Sequence, residues 1–264
     1  MKIAIIGTGN LGLSICKGII INNIHTTLYL TKRNLDSINS LKKYKNVYVT
    51  EDNKEAIINS DILIFSVQPN QLDHVLKNIQ SLIRENHLVI STATGYPLKR
   101  LEKYLGKDTP IVRSMPNTAI SVKKSMTCLC GNNSAKKGLQ IAEAIFNGLG
   151  KSLIIEEKHM QAATVICASG IAFWMRLIRA TTQGGVQLGF DADIALEMSM
   201  QTAMGAASLL IETKTHPEQE IDKVTTPKGC TITGLNEMEH QGLSSSIIKG
   251  LNASFDKINK IASE

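Results

Sequence analysis

The sequence predicts an α/β protein: a doubly wound parallel sheet in the N-terminal part, followed by an all-helical C-terminal part. Three observations carry this. Ile3–Ile6 is a short apolar run that ends in Gly7-Thr8-Gly9-Asn10-Leu11-Gly12 and passes directly into helical spacing. Short apolar runs then alternate with helical patterns as far as about residue 155. From Glu156 onward no convincing strand pattern recurs.

In order along the chain, Ile3–Ile6 reads as a buried parallel strand and Leu11–Ile21 as the helix after it. Thr27–Leu30, Asn46–Val49 and Asp61–Val67 read as the next three strands, and Gln71–Ile83 as a helix. Leu88–Ser91 and Pro110–Arg113 follow as strands five and six. Ser125–Leu129 and Ser152–Ile155 are candidates for one or two more at the sheet edge. Beyond them, helical spacing covers about 157–188, 191–212 and 244–262. The domain boundary therefore falls at 156–157, giving domains 1–156 and 157–264. Ala195, Thr202, Gly205, Ala206 and Ala207 form a small-residue stripe that implies close helix packing, within the chain or with a second subunit.

Composition narrows the class. The chain has 264 residues, enough for a sizeable core, with 43% hydrophobic and only 4% aromatic residues, which suits packed helices and buried parallel strands. A net charge of +6 without a basic run or interleaved aromatics argues against nucleic acid, and suits an anionic cofactor and substrate. Five cysteines, an odd number, with the pair at 128 and 130 lacking zinc spacing, read as free thiols in a reducing compartment and indicate no metal site. The start has no apolar region of signal-peptide length, and no apolar run of about 18 residues is read anywhere. The expectation is a cytoplasmic protein without a membrane partner.

The glycine loop carries the first functional reading. Gly7 allows the tight turn, Gly9 lets the backbone approach a pyrophosphate, and Gly12 lets helix and strand pack closely. Thr8, Asn10 and Leu11 complete a loop whose helix N-terminus offers free N–H groups to the phosphates. This is the signature of a Rossmann-type dinucleotide-binding unit. At the end of the second strand, where NAD binders place an acidic residue, stand Thr31, Lys32, Arg33 and Asn34. A hydroxyl and two cations suit a ribose 2′-phosphate, so NADP(H) is expected to be preferred, with NAD(H) also admissible.

Three later segments draw attention. Met115-Pro116-Asn117-Thr118 follows the sixth strand, so Met115 and Asn117 lie where ligands bind in open α/β sheets. Ala168-Ser169-Gly170 interrupts or opens a long helix. Thr226-Pro227-Lys228-Gly229-Cys230-Thr231 precedes another helix, and is either a small-carboxylate site or only a helix cap.

Taken together these motifs resemble the pyrroline-5-carboxylate reductases. The resemblance covers essentially the whole chain: the loop at 7–12, Asn53, Ser66-Val67-Gln68-Pro69, Ser91-Thr92-Ala93-Thr94-Gly95, Met115–Thr118, Gly184-Gly185-Val186, Gln201-Thr202, His216-Pro217, and Val224–Ile232. It implies hydride transfer from NAD(P)H to the C=N bond of 1-pyrroline-5-carboxylate, giving L-proline. It further implies a homo-oligomer, at least a dimer, built through the C-terminal dimerisation domain. By the same resemblance, Asn53, Val67, Gln68, Pro69, Ala93 and Gly95 contact the cofactor. Ser169, Pro227, Gly229, Cys230 and Thr231 join Met115 and Asn117 at the substrate, with Thr231 the catalytic hydroxyl near the ring nitrogen. An imine is basic enough that a hydroxyl and bound water suffice, which agrees with the absence of an obligatory His or Lys acid in these motifs. His216 reads as a cap or turn residue.

Several positions depart from the family pattern: Gln68 for the usual lysine, the stretch at 167–173, which loses a proline at Ile171 and a phenol at Phe173, and Lys228 for a glycine. Lys228 must hold either a backbone conformation open to any residue or a strained one with φ > 0. The alternative functions are another cyclic imine reductase, a β-hydroxyacid reductase, or a non-catalytic NADP-binding regulatory protein. The β-hydroxyacid reading lacks its mid-helix lysine, since Lys158 is the only lysine between 152 and 213.

Overall fold

A computed structural model describes residues Met1–Ser263. The chain divides into two compact units, Met1–Ser169 together with the segment from Ser254 onward, and Gly170–Ala253. The sequence pattern puts the boundary at 156–157; the compact first unit runs about a dozen residues further.

The first unit is built on one eight-stranded sheet in the order β3-β2-β1-β4-β5-β6-β7-β8. The strands are β1 (Lys2–Ile6), β2 (Thr27–Thr31), β3 (Val47–Thr50), β4 (Ile62–Phe65), β5 (Leu88–Ser91), β6 (Ile111–Met115), β7 (Ser125–Gly131) and β8 (Gly150–Ile154). The first six are parallel, β7 runs antiparallel to β6, and β8 is parallel to β7. Both candidate edge strands are therefore present. The helices between them are α1 (Asn10–Ile21), α2 (Asn53–Ile58), α3 (Pro69–Ile79), α4 (Leu98–Leu105) and α5 (Lys136–Asn147).

The central strand shows why this pattern folds so. Ile3, Ala4, Ile5 and Ile6 are all fully buried. Successive side chains alternate faces. Ile3 and Ile5 join Ile15 and Ile19 of α1 and Phe146 of α5 in one core. Ala4 and Ile6 join Leu72 and Leu76 of α3 and Leu101 of α4 in the other. A strand covered on both faces must be apolar throughout, which is the run seen in the sequence. The strand order reverses between β1 and β4, so a crevice opens beyond their carboxyl ends.

The first unit continues through α6 (Met160–Ala163) and a π-helical stretch, Thr164–Ser169. The second contains α7 (Gly170–Gln187), α8 (Ala192–Thr213), α9 (Pro217–Val224) and α10 (Cys230–His240). The last helix, α11 (Leu243–Ser263), begins in the second unit and ends in the first. No strand follows Ile154 among the described residues. α7 and α8 pack closely where Gly185 faces Ala195; a Cβ on Gly185 would lie 2.9 Å from the Ala195 Cβ. Ala195 is thus buried within the chain, whereas Thr202, Gly205, Ala206 and Ala207 are exposed on it.

No unbroken apolar run of about 18 residues occurs, as the sequence pattern implies, yet two helices are apolar on average. Glu157–Gln187 and Ala192–Thr213 are long and apolar enough to cross a membrane by length and composition. Their uncharged Ser, Thr and Gly residues break the visible apolar runs without lowering mean hydropathy much, so a search for unbroken runs passes over them.

Candidate active site

The crevice at the strand-order reversal is a cleft of about 840 Å³. One wall is the loop after β1. Gly7 takes a left-handed φ of 92°, which admits the turn without strain. A Cβ there would come within 2.5 Å of Val67 Cγ1 and 2.9 Å of the Ser66 carbonyl oxygen, so β4's end presses directly on the loop. At Gly12 a Cβ would lie 2.4 Å from the Gly7 carbonyl oxygen, which fixes glycine there for packing. Gly9 differs: a Cβ would meet no protein atom within 4 Å. No packing contact in the fold therefore requires a glycine at this position, which lines the cleft.

Two further features fit an anionic dinucleotide. Gly9 is the N-cap of α1, with no side-chain cap and no acidic residue in the first turn, so the leading N–H groups are free. The Thr8 hydroxyl, which lines the cleft wall, is buried without a partner among the described residues. An orphaned buried hydroxyl beside free helix N–H groups is what a phosphate would satisfy.

The cleft's far rim carries Lys32, Arg33, Asn34 and, from α2, Asn53 and Lys54. Arg33 is exposed with no hydrogen bond or ion pair among the described residues, while Lys32 Nζ donates to Ser37 Oγ at 2.6 Å. Thr31 plays a different part from that of a rim ligand. It is 2% exposed, and its Oγ1 accepts the Gly7 N–H at 3.2 Å. Its carbonyl accepts the Thr8 N–H at 2.8 Å. Thr31 thus clamps the glycine loop from β2.

Of the residues picked from sequence, Gly7, Thr8, Gly9, Thr31, Lys32, Arg33, Asn53, Val67 and Gln68 border this cleft. Asn10, Leu11 and Gly12 in the first turn of α1 and Pro69 at the start of α3 are not among the residues that line it. Ala93 is buried in the second core, and Gly95 turns the chain at φ 71° after β5. Sequence reasoning missed Lys54 and a face of α3, Gln71, His74 and Asn78. The sequence signal for that face is the helical spacing from Gln71 on, which does not show which side of the helix faces a ligand. α3 is braced from behind: the Tyr96 hydroxyl donates to Asp73 Oδ1, and Arg100 Nη2 pairs with Asp73 Oδ2 at 2.6 Å. The Arg100 hydrogen bond pulls the Asp73 carboxyl down to about 2, against its partial burial.

The structure also brings the loop after β6 onto the π-helical stretch. Asn117 Nδ2 donates to the Cys167 carbonyl at 2.9 Å, its Oδ1 accepts the Ala119 N–H, and its N–H donates to Ser125 Oγ. Met115 is buried, its sulfur accepting from Thr94 Oγ1 at 3.8 Å, and Ser169 closes the π-helical stretch, half-buried.

Pro227, Gly229, Cys230 and Thr231 belong to the second unit. Gly229 is the N-cap of α10 without a side-chain cap, so the N–H groups of Cys230 and Thr231 are free first-turn donors. The turn is closed by Gly229 N–H to the Thr226 carbonyl at 3.0 Å. Lys228 adopts φ 58°, the strained of its two options. His216 caps α9 in a reciprocal arrangement with Gln219, as its place before Pro217 implies.

Comparison with known proteins agrees at both ends of the chain. Residues 157–261 match a family described as pyrroline-5-carboxylate reductase dimerisation, and residues 2–95 one described as NADP oxidoreductase, coenzyme F420-dependent. A Dictyostelium discoideum protein, pyrroline-5-carboxylate reductase 1, is 46% identical over 97% of this chain, which spans about half (49%) of that relative's length. Pyrroline-5-carboxylate reductase 2 of the same organism is 42% identical over 98% of this chain and 92% of its own. A solved Plasmodium falciparum pyrroline carboxylate reductase with NADP bound superposes with a TM-score of 0.90 at 26% identity, covering 99% and 98% of the two chains.

Proposed function

The chain belongs to the pyrroline-5-carboxylate reductase family, and on that premise we propose that it reduces 1-pyrroline-5-carboxylate to L-proline in a proline-forming step, with NADPH as the preferred donor. The observation that carries the cofactor half is Gly9, a glycine the packing does not require, beside the Thr8 hydroxyl and Arg33, both without a partner among the described residues. NADPH, when bound, supplies the hydride.

The chain's own residues do the rest. Gly7–Gly12 and Thr8 hold the pyrophosphate, and Arg33, with Lys32 and Lys54 nearby, holds the 2′-phosphate. Asn53, Val67, Gln68, Pro69, Ala93 and Gly95 complete the cofactor side. The free N–H groups of Cys230 and Thr231 hold the substrate carboxylate at the start of α10, with Pro227 and Gly229 shaping the turn. The Thr231 hydroxyl keeps a proton near the ring nitrogen. Met115, Asn117 and Ser169 line the substrate side of the first unit. Because the imine carries its own basicity, rate comes chiefly from holding donor and acceptor carbons together with water excluded.

The assembly is a homo-oligomer, at least a dimer, in the cytoplasm. Trp174 on α7 is 66% exposed and Ile211 on α8 70% exposed, apolar area that a monomer leaves in water and a second copy would cover. The domain division that goes with this reading is a dinucleotide-binding part, 1–156, and a dimerisation and substrate part, 157–264. The test is to incubate purified protein with NADPH and 1-pyrroline-5-carboxylate and to identify the product by chromatography. L-proline in amounts equal to the NADPH consumed supports the reading; a saturable NADPH affinity with no product supports a binding protein instead.

A further inference from the structure

Cys128 and Cys167 lie 39 residues apart in sequence, with their sulfurs in contact at 3.9 Å. Cys128 sits on β7, 3% exposed, in the second core. Cys167 sits in the π-helical stretch Thr164–Ser169 and is partly open to solvent. The remaining cysteines do not share this arrangement: Cys16 and Cys130 are buried, and Cys230 is exposed in the second unit.

We propose that Cys128 and Cys167 form a peroxide-sensitive dithiol that closes to an internal disulfide and reopens on reduction. The sulfurs must approach to about 2.05 Å, a closure of roughly 1.9 Å. Side-chain rotation supplies part of it. The rest comes from the π-helical stretch, whose wider turn is an irregularity of the kind found at functional positions in helices. The hydrogen bond from the Cys128 thiol pulls the Cys167 thiol down, against its own burial, so the half-exposed sulfur is the nucleophile. The same contact, with burial, pushes the Cys128 thiol up.

The chemistry balances with hydrogen peroxide as oxidant. The Cys167 thiolate attacks one peroxide oxygen, the O–O bond breaks, and hydroxide leaves and is protonated to water. Cys167 is then a sulfenic acid. The Cys128 sulfur, losing its proton, attacks the Cys167 sulfur; the S–O bond breaks and a second water leaves. Two thiols lose two electrons and two protons, and one peroxide becomes two waters. Exchange with a small thiol reverses the bridge.

Closure pulls on a defined neighbour. The Cys167 carbonyl is the acceptor for Asn117 Nδ2, and Asn117 in turn caps the turn at Thr118–Val122 and binds Ser125. Oxidation therefore disturbs the loop after β6 while leaving the cleft between β1 and β4 alone. The effect on turnover rests on the function proposed above; the bridge itself does not.

The full-length protein is treated with hydrogen peroxide, its free thiols are alkylated, and peptides from a non-reducing digest are identified by mass spectrometry. A peptide linked through Cys128 and Cys167 is expected, absent in Cys167→Ser and in Cys128→Ala, and lost on adding dithiothreitol. Imine turnover is expected to fall about fivefold or more and to return on reduction, with NADPH affinity unchanged. Both thiols remaining alkylatable, or Cys167 reaching sulfinic acid while Cys128 stays free, would overturn the bridge. A bridge that forms without changing turnover would overturn the switch. Absence of turnover in the reduced protein would count against the proposed function alone, since the linked peptide is read independently.

Discussion

The hydroxyl of Thr31 at the end of β2 accepts the backbone N–H of Gly7 at 3.2 Å, so the phosphate loop is anchored from the neighbouring strand. Thr31→Val keeps the shape and removes the acceptor. Stability is expected to fall by about 1 kcal/mol, the net worth of one such bond with its buried donor left unpaired. NADPH affinity should fall with it. Urea unfolding and a fluorescence titration check the two effects.

Gly9 and Gly12 are equally conspicuous in the sequence but serve different ends. Gly12→Ala places a Cβ 2.4 Å from a backbone oxygen, and is expected to destabilise the fold by about 1–3 kcal/mol. Gly9→Ala meets no protein atom. Its melting temperature should be unchanged while NADPH affinity falls about tenfold or more, roughly 1.4 kcal/mol. Differential scanning calorimetry and isothermal titration on both variants separate the roles.

Arg33 has no partner among the described residues. Arg33→Ala should therefore leave stability alone and reduce the NADPH-over-NADH preference in kcat/KM. A charged hydrogen bond of about 1.5–3 kcal/mol corresponds to roughly ten- to a hundredfold. An unchanged ratio would assign the 2′-phosphate to Lys32 or Lys54 instead.

Much of this was legible in the sequence, for reasons that particular residues make plain. Ile3–Ile6 and Gly7–Gly12 declare themselves because burial on both sheet faces demands continuous apolarity and the turn demands glycine. What stayed hidden depends on contacts between distant segments. Thr31 looks like a cofactor ligand until its hydroxyl is seen bonded to Gly7. The cleft face of α3 carries no motif, only position. Lys228 left two backbone conformations open, and only coordinates distinguish them. The Cys128–Cys167 contact joins a strand to a π-helical stretch, where the sequence shows only that Ala168-Ser169-Gly170 interrupts or opens a long helix.

Asp73 gives a pH dependence with a definite sign. Its folded carboxyl, held by Arg100 and Tyr96, ionises at about 2, below the ordinary carboxylate value. A depressed folded value contributes stability in full above the unfolded value and loses it as pH falls toward the folded one. Asp73→Asn should therefore be less stable than the native chain at about pH 6, and the gap should narrow between about pH 4 and pH 2. Urea midpoints across that range measure it; a gap independent of pH would show that Asp73 acts through packing alone.

The central claim, NADPH-dependent reduction of a five-membered imine acid with Thr231 at the ring nitrogen, is tested most directly by one assay. NADPH oxidation is followed by absorbance in the presence of 1-pyrroline-5-carboxylate, for the native chain and for Thr231→Ala. The account expects saturable, substrate-dependent oxidation by the native chain, and a loss in the variant equivalent to about 1–3 kcal/mol in kcat/KM. No substrate-dependent oxidation by a native chain that binds NADPH, or full activity in Thr231→Ala, would contradict it.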